Sequence, residues 1–245
     1  MHEILRNLPC GARVLDLGCR DGSFSVNDYP DLRVVRLDME PPPGGVQADA
    51  GRLPFPDGCF HSVIANHSLE HMRALEEVLR EIRRVIRKGG SLYVSVPDAS
   101  TFSDRLYRWI YHGGGHVNPF RNAGDLAARI TAATGLPLMA TRTLHASFLY
   151  LGRHHFRPRP PRRMWLFANG DERVILALSY LARFFGFSRY GWAFWFGNIG
   201  EPVDTRASKN VCIRCGTGCA AELLRPVGGC YLCAICGARN LFTRD

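Results

Sequence analysis

Residues 14–25 read VLDLGCRDGSFS, a short apolar strand that runs directly into a glycine-rich turn. Glycine lets the backbone adopt a positive φ and approach a ligand closely. In an open parallel sheet, ligands bind beyond the carboxyl ends of the strands. This stretch therefore predicts a buried strand whose turn faces a bound ligand.

Strands and helices alternate on the C-terminal side of this turn. Residues 74–88 carry apolar side chains at helical spacing, and Gly89 and Gly90 are typical of a helix end. The alternation predicts an α/β fold, a doubly wound, Rossmann-like and mostly parallel sheet with helices on both faces. The predicted strands are 13–18, 32–39, 60–68, 91–98, 136–151 and 190–198, and the predicted helices are 2–8, 74–88, 125–135 and 171–186.

The turn and the blocks that follow it resemble class I S-adenosylmethionine-dependent methyltransferases of the small-molecule type, including those of type 11. The resemblance covers residues 1–150 and rests on several motifs in the order of that family. The turn alone would fit a dinucleotide-binding domain equally well, and an inactive relative is a further alternative. The matching positions are Asp16, Gly18, Arg20 and Gly22 in the turn, Asp38 at the end of the second strand, Asp49 in QADAGRLPFPDGCFHSVIANHSLEHM (47–72), and Asn66.

The resemblance implies S-adenosylmethionine (SAM) as the cofactor. In that family the turn cradles the methionine and ribose, an acid at the position of Asp38 holds the ribose hydroxyls, and the acid at Asp49 contacts the adenine amino group. Asn66 would border the same pocket. Arg20 replaces the middle glycine, where a positive φ would cost about 1 kcal/mol. Its guanidinium could instead pair with the carboxylate of SAM.

Two segments supply histidines that could assist the methyl acceptor. HSLEH (67–71) matches the His-x-x-Glu-His pattern of zinc proteases, but that chemistry needs both histidines on one helix, and this segment follows a strand. We expect His71 to face the pocket and His67 to pack or cap. GGGHVNPF (113–120) follows the next predicted strand, and His116 could take a proton from a hydroxyl or amine. Alternatively, His116 only fixes its loop by hydrogen bonding.

Six of the nine cysteines crowd into the C-terminal tail. They include two Cys-x-x-Cys pairs, each followed by glycine, with 17 residues between the pairs. This spacing predicts a closed structural zinc site of four thiolates, similar to a zinc ribbon, in a tail too small to fold on its own core. The predicted ligands are Cys212, Cys215, Cys233 and Cys236; Cys219 and Cys230 are left out, although Cys230 and Cys233 also have pair spacing, and an iron–sulfur cluster is the alternative occupant.

The net charge of +9 is concentrated in the C-terminal part of the chain. Residues 151–200 hold eight arginines against two acids, and residues 206–245 hold six basic residues against two acids. Such a surface attracts phosphates, nucleic acid or anionic lipid, although general solubility explains it as well. The chain shows no long apolar run and no leader-like start, and its cysteines suit a metal-binding tail, so we expect a cytoplasmic protein.

Two domains are predicted: a methyltransferase domain over residues 1–200, with a basic helical insertion at 153–187, and a zinc module over 206–245. The favoured function is methyl transfer from SAM to an oxygen or nitrogen of a small or carrier-bound metabolite. An RNA methyltransferase that grips phosphates with the zinc module and the arginines is a second hypothesis, and a non-catalytic binding protein of the same fold is a third. An apolar lid or wall, or else core packing, is expected of Phe184, Phe185, Phe187, Trp192, Phe194 and Trp195.

Overall fold

The structure is a computed structural model, and it divides the chain by compactness into two units. The first unit comprises Met1–Asp98, His116–Arg142 and Trp192–Thr205; the second comprises Ala99–Gly115, Thr143–Gly191 and Arg206–Asp245. The predicted domain boundaries follow chain order instead and stay a prediction. The described residues are 2–20, 22–24, 26–145, 148, 172–203, 210–211, 218–219, 225–227, 230–232 and 239–241.

Seven strands form the main sheet. They are β1 (Arg13–Leu17), β2 (Arg33–Asp38), β3 (Val46–Gln47), β4 (Phe60–Asn66), β5 (Ile86–Pro97), β6 (Leu138–His145) and β7 (Arg189–Gly197). Their order is β3-β2-β1-β4-β5-β7-β6, and β1 pairs in parallel with both β2 and β4. This mostly parallel sheet confirms the predicted Rossmann-like class. The chain order reverses between β1 and β4, which is where open α/β sheets bind ligands.

The helices differ from the prediction at two places. The helix predicted over 74–88 ends at Val85, because Ile86 has an extended backbone and pairs with Phe60 of β4. A helix over 102–110 was not predicted, although Thr101 caps it by accepting a hydrogen bond from the Asp104 amide. The α-helices within the described residues are α1 (His2–Arg6), α2 (Leu75–Val85), α3 (Phe102–Ile110), α4 (Ala123–Thr134) and α5 (Glu172–Phe184).

One large apolar core holds the sheet of the first unit. It joins the buried faces of α2 and α4 to side chains from β1, β4, β5 and β7. Trp192 and Phe194 belong to this core, and Trp195 is fully buried with its ring 5.2 Å from that of Tyr93. The core interpretation is therefore confirmed for these three aromatic residues of β7.

The tail contains two small antiparallel sheets. Strands β8 (Asn210–Val211) and β9 (Gly218–Cys219) pair with each other, and β11 (Cys230–Leu232) pairs with both β10 (Arg225–Val227) and β12 (Arg239–Leu241). The four predicted zinc ligands lie outside the described residues. Among the residues that the structure does describe, no helix is both long and apolar enough to cross a membrane.

Candidate cofactor and acceptor site

The glycine-rich turn leaves β1 at the point where the strand order reverses. Gly18, Arg20 and Gly22 have φ values of 66°, 48° and 111°, so all three adopt the left-handed side of the Ramachandran map. The expected strain at Arg20 is confirmed. A Cβ on Gly18 would lie 2.6 Å from the Cβ of Ser68, and one on Gly22 would collide with the guanidinium of Arg36. Close packing on Ser68 thus restricts position 18 to glycine, whereas at position 22 the φ of 111° favours glycine and the Arg36 side chain could move.

Asp16 places a buried carboxylate under this turn. Its side chain is fully buried, and Oδ2 accepts a hydrogen bond of 2.9 Å from the amide of Ser23 and lies 3.9 Å from Nε of Arg36. Its other oxygen, Oδ1, has no hydrogen-bond partner among the described residues. Burial raises the pKa of Asp16 above its ordinary value. A ligand that brings a cationic donor to Oδ1 would stabilise the ionised carboxylate.

Two further carboxylates lie at the carboxyl ends of neighbouring strands: Asp38 is the last residue of β2, and Asp49 follows β3. Asp38 is half-buried, and its oxygens accept hydrogen bonds from the amides of Arg20, at 2.8 Å, and Glu40, at 3.0 Å. Asp49 is exposed, and Oδ1 accepts a hydrogen bond of 2.8 Å from the amide of Gly51. Because β2 and β3 pair in parallel, both carboxylates lie at the same edge of the sheet as the turn. A carboxylate oxygen has two lone pairs, so both retain capacity to accept from a ligand.

The end of β4 is tied to β5 by one serine. The hydroxyl of Ser95 donates to Oδ1 of Asn66 at 2.7 Å, and its oxygen also lies 3.2 Å from the donating amide of His67. His67 has a φ of 51°, which turns the chain sharply after the strand. This turn places the residues that follow over the glycine-rich turn, since Ser68 contacts Gly18.

The two histidines proposed for the acceptor are brought together. His71 lies at the end of the short 3-10 helix Leu69–His71, and its ring centroid is 4.9 Å from that of His116, with the ring planes at 75°. Glu70 was not among the predicted site residues, although it lies inside HSLEH. Its side chain is buried between these histidines and His67. The zinc-protease pattern is excluded, because His67 precedes the short helix that carries His71.

The chain's own groups fit SAM at this edge. The orphaned oxygen of Asp16 suits the α-ammonium group, the crowded position of Gly18 leaves room only for backbone, and Asp38 and Asp49 present carboxylates to hydroxyl and amino groups. The thiol of Cys19 within the turn is no nucleophile, because burial and two neighbouring carboxylates raise its pKa to about 12.

A separate cavity lies at the other end of the strands. Its lining includes Asn7, His61 and Arg87, and the latter two stand at the amino ends of β4 and β5. Ligands of open α/β sheets bind at the carboxyl ends instead. We therefore assign the functional site to the edge that carries the glycine-rich turn.

Known proteins resemble this chain over the same region. Residues 15–94 match a family model described as a methyltransferase domain. Malonyl-[acyl-carrier protein] O-methyltransferase from Legionella pneumophila is 30% identical over 132 residues, which cover 46% of each chain. The present chain thus spans about half the length of this relative.

Solved structures match over more of the chain but at low identity. A SAM-dependent methyltransferase from Archaeoglobus fulgidus has a TM-score of 0.54 and 16% identity, covering 80% of this chain and 90% of its own. A [4+2]-cyclase, SpnF, has a TM-score of 0.53 and 18% identity, covering 82% and 80%. At such identities the likeness shows the fold alone. Over residues 15–94 this chain is thus similar to methyltransferase domains, and its fold is that of the SAM-dependent methyltransferase from Archaeoglobus fulgidus.

Proposed function

We propose that this chain transfers the methyl group of SAM to an oxygen or nitrogen of a small or carrier-bound metabolite. The observation that carries the proposal is the buried Asp16 under the glycine-rich turn, whose Oδ1 has no hydrogen-bond partner in the described part of the chain. An unpaired buried carboxylate oxygen destabilises a fold unless a ligand satisfies it. The family match over residues 15–94 supports SAM as that ligand.

Methyl transfer depends mainly on the alignment of the acceptor, the methyl group and the leaving sulfur. SAM, when bound, supplies the methyl group of its sulfonium. The rest of the molecule then leaves as a neutral thioether. The protein's task is to hold the acceptor in line with that bond and to exclude water, and such positioning alone accounts for large accelerations. His71 comes shortly after Ser68, and His116 lies in the connection between α3 and α4; both are proposed to assist the acceptor at this point. Their pairing across 4.9 Å supports a common role.

The acceptor class is suggested by the curated relative. That protein is named as acting on malonyl groups held by acyl-carrier protein. A carrier-bound carboxylate is therefore one acceptor to test here, next to free small molecules. The fold does not decide the reaction, because a cyclase shares it.

The tail is proposed to bind one structural zinc ion. Support comes from the strands that flank the cysteine pairs. Paired strands β8 and β9 enclose residues 212–217, paired strands β11 and β12 enclose residues 233–238, and each six-residue interval begins with Cys-x-x-Cys-Gly. Cys219 and Cys230 lie instead within strands β9 and β11, which favours leaving them out of the ligand set. The two pairs together supply the four thiolates of one tetrahedral zinc site.

The test of methyl transfer uses the purified full-length protein, methyl-labelled SAM and a cell lysate. Label is counted in small molecules, acyl-carrier protein, lipid, RNA and other proteins. Label in small molecules or on acyl-carrier protein is the expected result. Label in RNA would contradict the proposed acceptor, and absence of both label and SAM binding would contradict the proposed activity.

The test of the zinc module is metal analysis of carefully purified protein. We expect a strong chelator to remove zinc and unfold the tail while SAM affinity stays unchanged, because the cofactor site belongs to the other compact unit. A metal content near zero would contradict the zinc assignment.

Cys10, Cys19 and Cys59 are free thiols, which supports a reducing compartment such as the cytoplasm.

A further inference from the structure

Three side chains with metal-binding atoms converge beyond the end of β4. They are Glu70 and His71 of the 3-10 helix and His116 of the loop that follows the three glycines. One ligand atom from each lies within 4.8 Å of the others. Ligands that share a metal at about 2.0–2.2 Å lie roughly 3–4 Å apart, so at most small side-chain shifts would bring these three atoms onto one ion.

Glu70 supplies an independent sign that a cation belongs here. Its side chain is 2% exposed, and its Oε2 atom has no hydrogen-bond partner among the described residues. The other oxygen, Oε1, lies 3.6 Å from Nδ1 of His67. A carboxylate removed from water is strongly disfavoured without a partner, and a divalent cation is the partner that two imidazoles and a carboxylate bind best.

Hydrogen bonds hold the three groups in place. The amides of Val117 and Asn118 both donate to the carbonyl oxygen of Glu70, at 2.8 and 3.0 Å. The side-chain amide of Asn118 donates to the carbonyls of Leu69 and Met72, at 2.9 and 2.6 Å. The loop that carries His116 is therefore bonded directly to the turn that carries Glu70 and His71. Such a preset arrangement favours metal binding, because little order has to be created.

We propose that Glu70, His71 and His116 bind one divalent transition-metal cation, with Zn²⁺ as the first candidate, separate from the zinc of the tail. Three protein ligands leave a coordination position open to water or to a ligand oxygen. The site differs from the zinc-protease arrangement, because His116 of a distant loop takes the place of the first histidine of HSLEH.

The open position suits an oxygen of the methyl acceptor, which the cation would polarise. This part rests on the proposed methyl transfer, whereas metal binding itself does not. With a metal bound, the two histidines would act on the acceptor through the cation and would not take its proton directly, since their ligating nitrogens are then engaged.

The test counts metal per chain in full-length protein that has been stripped with a chelator, reloaded with Zn²⁺ and dialysed. We expect two ions in the wild type and one in the variant Cys212→Ser with Cys215→Ser, where only the new site remains. Adding His71→Asn and His116→Asn to that variant should remove the second ion. An unchanged metal count after the histidine substitutions would overturn the proposal.

The matched control is His112→Asn. His112 is an exposed histidine outside the cluster with a φ of 52°, a conformation that asparagine tolerates. Its metal count should equal that of its parent. SAM binding is measured in the same samples, so that failure of the proposed function (no SAM binding, metal lost with the histidine substitutions) is distinguished from failure of the metal site (metal count unchanged by the histidine substitutions, SAM bound).

A measurement on the wild type guards against variants that do not fold. X-ray absorption of the zinc-loaded chain should show two shells, nitrogen or oxygen near 2.0–2.1 Å from the histidine site and sulfur near 2.3 Å from the tail. A sulfur shell alone would overturn the proposal. A nitrogen shell that persists in the cysteine variant would assign it to Glu70, His71 and His116.

Discussion

We call the carboxyl end of the strands, where the glycine-rich turn lies, the cofactor edge. Its atoms are closely packed, whereas the surface of α3 and α5 exposes apolar side chains. At the cofactor edge, backbone and polar atoms fit so closely that Gly18 admits no Cβ and Asp16 is buried with one oxygen unpaired by described residues. On α3, α5 and the turn after α5, large apolar side chains face solvent, with Phe184 at 75% and Trp109 at 47% exposure. The first region is shaped for one polar ligand, whereas the second would accept any apolar surface of suitable size.

The two regions also differ in whether the family model covers them. The family model matches residues 15–94, from within β1 to within β5, so it includes the turn but neither α3 nor α5. A cofactor common to many enzymes constrains the residues that bind it, while acceptors differ from one enzyme to the next. The exposed aromatic side chains of α3 and α5 therefore lie outside the region that the family model covers.

Truncating one phenylalanine from each region tests the comparison most strongly. Phe194 is fully buried in the main core, so Phe194→Ala should lower the free energy of unfolding by about 3–5 kcal/mol. Phe184→Ala should change it by less than about 0.5 kcal/mol, because the side chain is exposed. Denaturant unfolding measures both. A large loss for Phe184→Ala would mean that this surface is covered in solution.

A pair of glycines separates crowding from backbone strain at the cofactor edge. Both Gly18 and Gly44 have positive φ, but a Cβ at Gly18 meets Ser68, while one at Gly44 meets nothing within 4 Å. Gly18→Ala should therefore destabilise the protein by about 2–4 kcal/mol, and Gly44→Ala by only about 1 kcal/mol. Equal losses in thermal unfolding would contradict the close packing of the turn on the end of β4.

The sequence predicted the cofactor edge better than the acceptor side for a physical reason. Glycines and acids at strand ends are local signals, so the turn and the strand before it could be placed from a dozen residues. The meeting of His71 with His116 depends on hydrogen bonds from Asn118 to residues nearly fifty positions earlier, which no periodicity reveals. Glu70 was missed because a buried acid and a surface acid look alike in a sequence.

Asp16→Asn should separate stability from cofactor binding. Burial raises the pKa of Asp16 in the folded protein above its value in the unfolded chain. The protonated carboxyl therefore favours the folded state at low pH, and the free energy of unfolding falls as the pH rises through the folded pKa. At neutral pH the buried ionised carboxylate destabilises the fold. Asp16→Asn removes this charge and should therefore raise the Tm of the protein without SAM.

The same substitution should weaken SAM binding about 10- to 100-fold, because a charge-assisted hydrogen bond is lost. In the wild type, SAM affinity should fall as the pH drops through the raised pKa of Asp16. Calorimetric titration at several pH values measures both effects, with the exposed Asp28→Asn as control. An unchanged affinity would remove Asp16 from the cofactor site.

The smallest effect is expected at Arg20, the position where the turn departs from glycine. Its φ of 48° strains an L-residue by about 1–2 kcal/mol, but glycine loses about 0.5–1 kcal/mol through the freedom of the unfolded chain. Arg20→Gly should thus stabilise the protein by about 1 kcal/mol or less. SAM affinity should stay within about threefold, because the amide of residue 20 still donates to Asp38 and the side chain is exposed. Arg20→Ala keeps the strain without the guanidinium, so a tenfold loss of affinity shared by both variants would instead assign that group to the carboxylate of SAM.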